Sequence, residues 1–217
     1  MRLRELQRML LGLYAVEIGE DVRDYLVTDP AWLAAGSGRE HRRDAAEQLL
    51  IEEAGDEISL ALYLDAAALA RVEALPPGAE LDPAQREVFF LVLEGVSHFN
   101  YVAWNATRDK RVTLLELEMQ AEIDKFVTAC ALLGAVTRTE REAVFAHLFA
   151  APVFDPALGA VESSRYLFAN HLAGRYCRSL SSRYPAHASG GMLRELRAFY
   201  RWPQPAKVSH IHAAVFA

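Results

Sequence analysis

A mainly helical α+β fold is the class that this sequence predicts, and three observations predict it. Two long segments, about 82–104 and 113–133, are rich in apolar residues and each is opened by a helix-start signature. In one short stretch, Ile58, Leu60, Leu62 and Leu64 alternate with Ser59, Ala61 and Tyr63, which is the period of a strand. Prolines and glycines punctuate the remainder at intervals that suit helices. The expected architecture is a helical bundle built on a long antiparallel helix hairpin, with a small N-terminal region containing one β-hairpin.

Taken in order, helical patterns are expected at about Arg2–Tyr14 and Glu20–Val27, with a short start at Asp29-Pro30. Gln48–Glu53 is read as the partner strand of Ile58–Leu64, with Ala54-Gly55-Asp56 as the turn. The competing reading makes 48–53 the tail of a helix from about Arg39, capped by Gly55. A helix over Asp65–Glu73 follows, and Ala74–Asp82, with Pro76-Pro77-Gly78, is the candidate linker. Two regions result, 1–75 as a small α+β part and 82–217 as a helical part, or one compact domain containing both. Asp82-Pro83-Ala84-Gln85 supplies an N-cap acceptor, a proline at the first helical position and a glutamine at the third. Thr113-Leu114-Leu115-Glu116 is a capping box for the second long helix, which runs to Gly134. Thr139-Glu140-Arg141-Glu142 is read as a third box, for a helix ending near Phe149. Glu162–Arg183 and Met192–Trp202 complete the set, stopped by Pro185 and Pro203.

Composition excludes several classes. The chain has 217 residues, 52% of them hydrophobic, enough for a sizeable core and too many for global disorder. Two cysteines cannot form a disulfide framework. The longest apolar run, Ala129–Val136, falls far short of a membrane span, so no membrane partner is expected. Met1–Val16 imitates a signal peptide only weakly, because Glu17 closes the apolar stretch and no cleavage site follows. A cytoplasmic location is expected from the lack of a targeting segment and from cysteine usage.

The central hairpin concentrates polar residues. With its turn near residue 109, facing residues have numbers that sum to about 218. His98 then faces Glu122, Glu94 faces Lys125, and Tyr101 falls near Glu118. Glu94 and His98 are four apart, as are Glu118 and Glu122, so each pair shares a helix face. Glu94, His98, Glu118 and Glu122 form a candidate divalent-metal set, and His98 with Glu94 and Glu122 a candidate catalytic set for general acid–base work. The competing structural reading, an interhelical network fixing the register, is preferred. Glu-x-x-x-His occurs once, whereas di-iron bundles use Glu-x-x-His twice, and His-Glu-x-x-His is absent. Glu116 is set aside as part of a cap.

Charge is uneven. From residue 160 onward eight basic residues stand against two acidic ones, in a chain whose formal charge is −6. Arg194, Arg197 and Arg201 make one helical stripe, and Arg175 and Arg178 lie on the preceding helix. These five arginines are the candidate binding residues for a protein or anionic partner; nucleic acid is less favoured, since no recognition motif is present. Other features receive ordinary readings. His210 and His212 are placed on one side of an extended tail, Cys130 and Cys177 are small buried hydrophobes, and His147 and His171 are boundary residues. Ser97 points about 100° away from His98 and makes no dyad with it. No resemblance to a known family is evident. The favoured function is a non-catalytic cytosolic regulatory or adaptor protein that uses the basic C-terminal helices; the alternative is a metal-assisted hydrolase or acid–base enzyme at His98.

Overall fold

A computed structural model describes residues 2–35, 45–54, 57–76, 81–132, 137–150, 152, 158–184 and 189–213. Among these the fold is mainly α, with one small three-stranded sheet. The chain divides into two compact units, one of residues 1–12 and 16–111 and the other of residues 13–15 and 112–217. The division falls between the two long helices. The turn at 55–56, residues 77–80 of the linker, the glycines of 36–38, Gly134 and Pro185 lie outside the described residues.

The first unit contains α1 (Leu3–Tyr14, up to Gly12), a 3-10 turn at Val22–Tyr25, β1 (Leu26–Val27) and α2 (Pro30–Ala35). After these come β2 (Glu47–Ala54), β3 (Glu57–Leu64), α3 (Ala66–Glu73) and α4 (Pro83–Ala106). The expected β-hairpin is present: β2 and β3 are antiparallel, with Glu47 opposite Leu64 and Leu49 opposite Leu62. The helical alternative for 48–53 is thereby excluded. The helix expected over Glu20–Val27 is replaced by the 3-10 turn and β1. Asp21 caps the 3-10 turn, accepting from the Arg23 backbone N–H at 3.1 Å, and the turn gives way to β1 at Leu26. β1 pairs with β3 in parallel, Leu26 opposite Leu62. β3 is therefore the central strand, and its Leu62, Tyr63 and Leu64 are all buried, so both faces of the strand are covered at this end.

The apolar face of the sheet packs against α4, whose Val92, Leu93, Val96 and Phe99 are buried. Asp82 caps α4 as expected, accepting from Gln85 N at 2.8 Å while Gln85 Oε1 accepts from Asp82 N at 3.1 Å. Gln7 of α1 satisfies its buried amide by donating to Asn100 Oδ1 at 3.3 Å and accepting from Val22 N at 3.2 Å.

The second unit holds α5 (Leu114–Leu132), α6 (Arg138–Phe149), α7 (Ala160–Arg183), α8 (Gly190–Arg201) and α9 (Gln204–Ala213). The two arms of the expected hairpin, α4 and α5, both form, and each lies in a different unit. α5 and α6 pack on α7 around Phe126, Leu172, Ala173, Tyr176, Cys177 and Leu180, all buried. Thr113 and Glu116 form the expected box, Glu116 N donating to Thr113 Oγ1 at 3.2 Å. The third box is displaced by two residues. Thr137, not Thr139, accepts from Glu140 N at 3.2 Å, and Glu140 Oε2 accepts from Thr137 N at 2.9 Å. The segment carrying His210 and His212 is helical in α9 rather than extended, which turns the two imidazoles to opposite sides.

Candidate functional sites

Within the first unit, α4 presents Glu94 and His98 one turn apart, and the start of β2 adds Glu47 to them. One ligand atom from each of Glu47, Glu94 and His98 lies within 4.8 Å of the others. Glu47 Oε1 stands 3.5 Å from His98 Nδ1, with His98 only 6% exposed. Gly95 makes this approach feasible. A Cβ at that position would lie 3.0 Å from Glu47 Cγ, 3.1 Å from its Oε1 and 3.0 Å from Leu62 Cδ1. The sequence pattern identified two of these three residues. Glu47 was missed because its proximity is a tertiary fact of the hairpin, with no local spacing to announce it.

Glu118 and Glu122, the other half of the expected set, belong to the second unit. Glu118 is buried on α5. Glu122 has partners inside its own unit: its Oε1 accepts from Lys125 Nζ at 2.8 Å and its Oε2 from Asn170 Nδ2 at 2.8 Å. Lys125, placed opposite Glu94 by the numbering rule, therefore ion-pairs one turn away on its own helix.

The second unit also contains a cleft between α6 and α7, a cavity of about 680 Å³. Arg138 and Arg141 of α6 and Arg175 and Arg178 of α7 line it, with Phe145 and Phe149 as apolar wall. Glu142 is the acidic lining residue, and Arg138 Nε already donates to it at 2.7 Å. Arg178 lies over the Phe145 ring, 4.1 Å from its centroid, and the two phenyl centroids are 4.9 Å apart. Gly174 lets α7 press against that wall, since a Cβ there would stand 3.2 Å from Phe149 Cγ. Arg175 Nε is buried, with no hydrogen-bond partner among the described residues. Sequence reasoning had named Arg175 and Arg178; it missed Arg138 and Arg141, which reach the cleft from a helix read only for its cap.

The other basic candidates are differently employed. Arg197 Nε donates to the Leu13 carbonyl at 3.1 Å, and Arg201 donates to the carbonyls of Tyr14 at 3.0 Å and Ala15 at 2.8 Å. Both guanidinium groups thus satisfy the backbone at 13–15 within the second unit, while Arg194 remains exposed. Tyr14, also of that segment, stacks on Tyr200 with centroids 4.1 Å apart and donates to Asp124. Burial, reinforced by the Asp124 charge, pushes its phenol well above the ordinary value. Glu195 receives Arg183, Tyr184 and His210. Burial acts to raise its carboxyl, but the bonds from Arg183 and His210 outweigh this and hold it below the usual carboxylate range. Cys130 and Cys177 are free and buried, and burial pushes the Cys130 thiol up to about 12, far from a nucleophile's range. Among the described residues no helix is long and apolar enough to cross a membrane.

Comparison of the chain with known protein families, with curated proteins and with solved structures gives no significant match.

Proposed function

We propose that this is a non-catalytic regulatory or adaptor protein of the cytoplasm that responds to an anionic ligand bound between α6 and α7. The observation that carries the reading is Arg175: its Nε is withdrawn from water at the cleft and has no hydrogen-bond partner among the described residues. A guanidinium so placed gains most from an anion that restores the lost hydrogen bonds. Arg141 and Arg178 add charge, and Phe145 and Phe149 offer a face for a flat apolar body. The cavity volume, about 680 Å³, lies in the usual range for small-molecule sites. The ligand class is therefore a phosphorylated, sulfated or carboxylated compound with a planar or apolar body. Two buried, unbridged cysteines support a reducing, cytoplasmic setting.

Titration of the full chain with phenyl phosphate, inorganic phosphate and phenol, followed calorimetrically, tests this. Phenyl phosphate should bind more tightly than either fragment, and Arg175→Gln should weaken it about tenfold or more. Raising salt should weaken it further. Binding that is indifferent to both Arg175→Gln and Arg178→Gln would overturn the reading.

A further inference from the structure

We infer that Glu47, Glu94 and His98 form a binding site for a first-row divalent cation such as Zn²⁺ or Mn²⁺. The site is independent of the cleft, since all three residues lie in the first unit. Two carboxylates and one imidazole are the donor set for a borderline-hard divalent metal, harder than copper(I) prefers and with more nitrogen than calcium or magnesium usually accepts. Their formal charge of −2, with the imidazole neutral, matches one such ion.

The donors are held by rigid elements. Glu94 and His98 are fixed by one turn of α4, and Glu47 by its pairing opposite Leu64 at the end of the β-hairpin. Ligand bonds of about 2.0–2.2 Å at tetrahedral angles put donor atoms roughly 3.3–3.6 Å apart. Glu47 Oε1 and His98 Nδ1 already stand 3.5 Å apart, and all three ligand atoms lie within 4.8 Å of one another. Gly95 contributes by what it lacks, since any Cβ would meet the Glu47 side chain within its contact distance. Three protein donors leave coordination positions for water or a ligand atom, the arrangement that lets a zinc or manganese ion activate a water molecule. The competing account is a plain ion pair between Glu47 and a protonated His98, which needs no metal.

The test uses the full chain, stripped with a chelator and titrated with Zn²⁺ or Mn²⁺ alone, with calorimetry and thermal melting as readouts. One ion should bind per chain and raise Tm. Glu47→Gln, Glu94→Gln and His98→Ala should each weaken binding at least about tenfold. Glu52→Gln, an exposed change on the same strand, should leave it unaltered. Absence of saturable binding, or binding unaffected by the three ligand changes, would overturn the inference. Should those variants fail to fold, Mn²⁺ added to the unaltered chain decides. Among the seven histidines, the ring resonances of His98 should broaden first; selective broadening of another histidine would refute the assignment.

Discussion

Gly95 occupies the middle of α4, where glycine ordinarily costs about 1 kcal/mol relative to alanine. Filling it would usually stabilise a helix. Here the new methyl would stand 3.0 Å from both Glu47 Cγ and the buried Leu62 Cδ1, and such overpacking costs about 1–3 kcal/mol. The larger effect wins, so Gly95→Ala should lower unfolding stability by about 1 kcal/mol in urea denaturation; a gain would show that the strand gives way freely. Residue-level chemistry was partly legible in advance. The four-residue interval from Glu94 to His98 places both on one face of any helix, whatever surrounds it. Glu47 obeys no such interval, because a hairpin that brings its first residue to a helix leaves no periodic trace in sequence. Arg197 and Arg201 illustrate the converse. Their spacing correctly put them on one face, but spacing cannot distinguish a face turned to solvent from one turned to the carbonyls of residues 13–15.

Elements were most readable where a cap announced them. Asp82 and Thr113 open their helices as their side chains dictate, because each supplies an acceptor for an otherwise orphaned backbone N–H. α6 shows the limit of the signature, since Thr137 and Thr139 both stand upstream of an acidic residue at the required distance. The structure selects Thr137 with Glu140. Thr137→Ala should therefore cost about 1 kcal/mol, whereas Thr139→Ala, at the second helical position, should change stability little. Comparing the two denaturation midpoints separates the alternatives. The failed helix at Glu20–Val27 has a different cause. Its polar pattern suited a helix, but two residues of parallel pairing with β3 outweighed local preference, and parallel pairing joins residues too distant for a sequence window to connect.

At the scale of the molecule, charge divides along with structure. The first unit carries 12 basic and 20 acidic residues, −8, and the second 11 basic and 9 acidic, +2. The proposed cation site and the proposed anion cleft each fall in the unit of complementary sign, although the overall charge of −6 hides this. Division into units was the least legible feature. The Pro-Gly stretch at 76–78 was a better linker by composition than the short turn before α5, and a pause in composition does not measure packing. The second unit also incorporates residues 13–15, from the far end of the sequence. Arg201 holds two of their carbonyls, so Arg201→Gln should lower stability by about 1–3 kcal/mol. Its affinity for phenyl phosphate should match that of the unaltered chain. A loss of affinity without loss of stability would instead assign Arg201 to the ligand.

The bare backbone at position 95 also constrains descent. Any relative that acquired a side chain there would have to shorten or redirect whatever occupies position 47, and one that retained the acid at 47 would have to keep the gap. Two sites far apart in the gene are thus bound to change in concert, so the pair should co-vary across related chains even where neither residue touches anything else that does.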